Sequence, residues 1–109
     1  MPTTYKVLAQ SAPSATTNTD IYTVPSATMT VISTIVVANR AASSATYRIA
    51  VRPNGATLAN QHYLAYDVTV GASDSTTITL GITMDAADVL TVYGSTANLS
   101  FNVFGSEIA

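Results

Sequence analysis

The chain has 109 residues, of which 48% are hydrophobic and only 9% charged, with a formal net charge of −2 and no cysteine. That length suits one domain with a core of its own, and the lack of cysteine excludes disulfides and thiolate metal sites. Four basic residues, Lys6, Arg40, Arg48 and Arg52, provide no electrostatic footprint for nucleic acid.

Along the chain, period-2 alternation dominates and helical periodicity is scarce. A first strand is predicted over Tyr5 to Ala9, followed by a polar loop broken by Pro13. A short strand, Asp20 to Val24, stops at Pro25. Residues 25–28 turn the chain into a long strand, Met29 to Asn39. There Val31, Ser33, Ile35 and Val37 share one parity and Ile32, Thr34, Val36 and Ala38 the other, so both faces look covered, as in a central strand. After the hairpin-length connection Arg40 to Ser44, the strand Ala45 to Val51 sets Tyr47, Ile49 and Val51 against Thr46, Arg48 and Ala50.

Pro53-Asn54-Gly55 is a turn signal, because Asn-Gly tolerates positive φ angles. Strands then follow over Gln61 to Val70 and Ser75 to Thr83, the latter with Ile78, Leu80 and Ile82 inward. The last two are Val89 to Tyr93 and Leu99 to Phe104. About eight short strands separated by turns predict an all-β chain, a single-domain antiparallel β-sandwich of jelly-roll or Ig-like type. A closed barrel is the alternative. No second domain or internal repeat is visible, and residues 1–4 are expected to form an extended N-terminal arm.

Residues able to carry chemistry are few. The one histidine, His62, has Asp67 and Asp74 and many serines as nominal triad partners, but no nucleophile-elbow motif accompanies it. Asp85 and Asp88 lie in one turn without the Asp-rich pattern of a calcium loop, so they are expected to cap that turn. The five glycines are isolated, which leaves no phosphate loop. Asn98-Leu99-Ser100 matches the glycosylation acceptor pattern, yet no basic n-region leading into an apolar stretch opens the chain. No apolar run approaches the ~18 residues needed to span a bilayer. The expectation is a non-enzymatic protein without cofactor, metal, nucleic acid or membrane partner.

What remains is surface. Low charge on a small free monomer is a solubility hazard, which a docked protein escapes. Six tyrosines stand out in a chain without tryptophan, and tyrosine combines contact area with a polar handle. Tyr47 and Tyr93 share parity with aliphatic neighbours. Tyr63 and Tyr66 should face opposite sides of one strand, which makes His62, Tyr63 and Tyr66 the candidate interface residues. A glycan- or host-binding module would use Asn60, His62 and Tyr63.

Several segments carry a likeness. Asp20-Ile21-Tyr22-Thr23-Val24-Pro25, followed by the Val31 to Arg40 strand, resembles a small structural family of tailed bacteriophages. The segments Tyr63 to Asp67, Met84 to Tyr93 and Phe104 to Glu107 are similar to it in the same order. The resemblance implies a virion protein of β-sandwich type. Its expected role is that of a capsid cement or decoration protein on the outer surface of the head, binding the major capsid protein and copies of itself. The alternative is a tail, collar, baseplate or fibre component held by tail proteins.

Overall fold

The structure, a computed structural model, describes residues 2–109. It is a β-sandwich of nine strands: β1 (Thr3–Ser11), β2 (Thr19–Thr23), β3 (Met29–Asn39), β4 (Ala45–Arg52), β5 (Tyr63–Val70), β6 (Ser75–Ile78), β7 (Ile82–Met84), β8 (Val89–Gly94) and β9 (Leu99–Ile108). One sheet runs β1-β9-β3-β6, with β7 also on β3, and the other runs β2-β8-β4-β5. All pairings are antiparallel.

The pairs are nested. β1 joins β9, β2 joins β8, β3 joins β6 and β7, and β4 joins β5. The chain is thus one long hairpin with its tip at the β4–β5 connection, rolled so that its arms alternate between two sheets. That is the jelly-roll order. It sets aside the Ig-like and closed-barrel alternatives, and it makes Arg40 to Ser44 a crossing between sheets instead of a hairpin.

The core fills the gap between the sheets. Ile32, Ile35 and Val37 of β3 and Leu99, Phe101 and Val103 of β9 come from one sheet. Tyr47 and Ile49 of β4 and Leu90 and Val92 of β8 come from the other. The Tyr47 and Phe101 rings meet edge to face across the gap, 6.4 Å apart at 78°. Burying each such aliphatic side chain contributes roughly 1.5–3 kcal/mol.

Two departures from strict alternation correct the sequence reading. In β3 the register slips between Ile32 and Thr34, so Ser33 is an extra residue. Thr30 and Ile32 therefore point inward with Ile35 and Val37, while Val31 points out. Gly105 of β9 lies opposite this bulge, and a Cβ there would collide with the Val31 carbonyl oxygen. The stretch expected as one strand over Ser75 to Thr83 is two, because Gly81 at φ 64° breaks it. Leu80 is consequently 59% exposed, not inward.

Thr3 and Thr4 do not form a free arm. They pair with Ile108 and Glu107 inside the chain's own sheet, and Pro2 O accepts the Ala109 N–H. The backbone groups of β9 need partners, and this segment supplies them. Met1 of the expected arm lies outside the described residues.

Candidate functional site

Two outward surfaces result, and they differ in chemistry. The outer face of the five-stranded sheet carries Thr3, Tyr5, Val7 and Gln10 from β1, and Ser100, Asn102, Phe104, Ser106 and Ile108 from β9. It carries Met29, Val31, Thr34, Val36 and Ala38 from β3 and Ser75, Thr77 and Thr83 from β6 and β7. Among the described residues these strands place no charge at an outward position, but charge reaches the margins of the face: Lys6 is half exposed, and Arg40, just after β3, donates from Nε to Ser100 Oγ at 2.9 Å.

The two charges in this sheet, Lys6 and Glu107, share the inward parity and pair at 2.7 Å. From the opposite sheet Tyr22 donates its hydroxyl hydrogen to Glu107 and lies 2.8 Å from the Thr30 hydroxyl. Burial and the Glu107 bond push the Tyr22 phenol up to about 12. The Lys6 and Tyr22 hydrogen bonds hold Glu107 below the usual carboxylate range. The cluster ties the sheets together at the end where the chain termini pair.

Apolar groups concentrate at that same end of the outer face. Tyr5 is 83% exposed, Val7 49% and Met29 43%. Tyr5, Val31 and Phe104, with Lys6, line a depression of about 400 Å³. Beside it runs the edge of β1, bulged at Leu8, whose outward backbone groups have no strand partner among the described residues. The other edges are blunted. β5 has two register shifts and Asp67 at φ 51°, β2 is short and bulged, and β6 and β7 are interrupted.

The outer face of the four-stranded sheet is paved with paired charges. Arg52 Nη2 contacts Asp20 at 2.8 Å, and its Nε donates to Thr91 Oγ1, which itself donates to Asp20. Arg52 Nη1 also donates to the Gly55 and Ala56 carbonyls, so one guanidinium pins the turn after β4. Arg48 pairs with Asp67 at 2.6 Å and lies between two rings, 4.2 Å from the centre of Tyr66 and 4.1 Å from that of Tyr93.

The candidate interface residues fall here. Tyr63 and Tyr66 share one face instead of opposing faces, because the register between β4 and β5 slips between them. Their rings meet at 85° with centroids 4.9 Å apart. His62 is not a strand residue. It ends a short 3-10 turn, Asn60–His62, where its Nδ1 accepts the Ala59 N–H, so that nitrogen is committed to the backbone. Asn60, Tyr63 and Tyr66 line a shallow depression of about 270 Å³. Arg48, Asp67 and Tyr93 complete this cluster, which β4, β5 and β8 bring together only through register. Tyr93, expected to pack with aliphatic neighbours as Tyr47 does, instead faces outward opposite Arg48.

The acids of the β7–β8 turn act as caps. Asp88 accepts from the Asp85 and Asn54 N–H groups, and Asp85 accepts from the Ala86 N–H. No cluster of three His, Asp or Glu side chains suited to a metal ion occurs among the described residues. No protein-family model matches the chain, and no curated protein matches it.

Proposed function

We propose that the chain is a non-enzymatic structural protein of a tailed-phage virion, acting as a capsid decoration protein. Copies sit on the outer surface of the head across joints between capsomers, held by the major capsid protein and by one another. The observation that carries this reading is the charge-poor outer face of the five-stranded sheet, with exposed Tyr5, Val7 and Met29 beside an open strand edge and charge only at its margins, from Lys6 and Arg40. Such a face is unfavourable on a free monomer and suits a docked one.

The β1 edge supports the same reading, because an extended segment of a partner can add to it through backbone hydrogen bonds alone. Association entropy and side-chain ordering offset much of the burial, leaving a few kcal/mol per copy. Many symmetric copies on one shell make the sum large. The likeness of the Asp20 to Arg40 and Met84 to Tyr93 segments to a phage structural family favours the virion setting.

Antibody-gold labelling of intact virions tests it. Gold spread over the head is the expected result. Gold confined to the tail overturns the decoration role in favour of a tail, collar, baseplate or fibre component. Virions without gold overturn the virion reading altogether.

A further inference from the structure

The depression at the β5 edge has the features of a small ligand site, and none of them depends on where the protein sits in a particle. Its walls are two aromatic rings set at 85°, which form a corner. Its size, about 270 Å³, admits one sugar ring. The corner is held in place beforehand: Arg48 stacks on Tyr66, Tyr93 backs Arg48, and Asp67 fixes the guanidinium.

The polar groups around it are uncommitted. Asn60 is exposed, and neither its carboxamide nor the Tyr63 and Tyr66 hydroxyls takes part in a hydrogen bond among the described residues. A carboxamide offers a donor and an acceptor side by side, the arrangement that two adjacent sugar hydroxyls satisfy. The C–H face of a pyranose carries slight positive charge and packs on the negative face of an aromatic ring. Electrostatics narrows the choice further. The nearby cation is already paired with Asp67, so an anionic sugar or a phosphate finds no free positive charge.

We propose that Asn60, Tyr63 and Tyr66 form a subsite for one neutral pyranose residue of a glycan. A shallow site of three residues binds a single sugar weakly, in roughly the millimolar range. Many copies displayed together would raise the avidity on a polymeric glycan.

The test is saturation-transfer difference NMR on the purified protein with methyl glucoside, mannoside, galactoside and N-acetylglucosaminide. The expected result is transfer to the ring C–H protons of at least one of them. Tyr63→Ala should abolish it, and Asn60→Ala should weaken binding about five- to tenfold. Asn60→Ala removes no internal bond, so its melting temperature should stay at the wild-type value. That variant decides the matter even if Tyr63→Ala fails to fold. Absence of transfer from every neutral pyranoside overturns the proposal. So does transfer that Asn60→Ala leaves unchanged, or binding confined to an anionic sugar such as a sialoside. Gold labelling of the head would be unaffected by any of these outcomes.

Discussion

At the scale of single residues, the buried polar groups join loops and sheets. Asn39, 3% exposed, donates to the Ser43 and Gly71 carbonyls and accepts the Ala41 N–H. One side chain thus closes the crossing from β3 to β4 and anchors the end of β5. Glu107 does similar work between the sheets. Its folded pKa lies below the unfolded value, so its stabilisation is present above the ordinary carboxylate value of about 4.3. It is lost as pH falls through the folded pKa. Tyr22 has the opposite sign. Its pKa is raised to about 12, so its stabilisation is whole below its ordinary value of about 10 and is lost as pH rises toward 12. Glu107→Gln should therefore lower stability near neutrality by about 1–2 kcal/mol and flatten the acid limb of stability against pH. Urea denaturation at a series of pH values reads both effects, and an unchanged acid limb would mean that another carboxylate governs it.

Among elements, irregularities decide which way side chains point. The extra Ser33 in β3 turns Thr30 and Ile32 inward, and Gly105 across from it lets the two backbones approach. Gly105→Ala should cost ~3 kcal/mol, because a methyl group there meets main-chain atoms that cannot rotate away. Leu80 lies in the break between β6 and β7, and Leu80→Ser should shift stability by no more than ~0.5 kcal/mol. Denaturant midpoints measure both changes. A large loss from Leu80→Ser would mean that β6 and β7 are one inward-facing strand after all. The two slips in β5 act in the same way, bringing Tyr63 and Tyr66 together and blunting that edge against pairing.

Over the whole molecule the two faces divide the labour. One is finished by paired charges and stacked rings, and the other is poor in charge and partly apolar, with Lys6 and Arg40 only at its margins. If the charge-poor face docks the protein, a charge placed on it should abolish binding without harming the fold. Tyr5, 83% exposed, is the position to use. Tyr5→Glu should leave the melting temperature nearly unchanged and reduce occupancy on purified heads at least about tenfold, since a carboxylate would be buried without a partner. Sedimentation of heads with added protein measures this. Full occupancy by Tyr5→Glu would move the docking surface elsewhere.

What the sequence determined alone is the class of the molecule. Alternation along β2, β4 and β8, with proline and Asn-Gly at the turns, made strands of these segments and a sandwich of their sum, because a two-residue period buries one face of each strand. The low charge was equally legible, as was the role of the Asp85 and Asp88 turn. Tertiary structure decided the rest. Jelly-roll order, the inward turn of Ile32 and the meeting of Tyr63 with Tyr66 depend on how strands pair and in which register, and the exposure of Leu80 on the break at Gly81. A one-residue slip reverses every later side chain without changing composition. For the same reason, the gathering of Arg48, Asp67 and Tyr93 around Tyr66, and of mostly neutral residues on the opposite face, was settled only when distant strands paired.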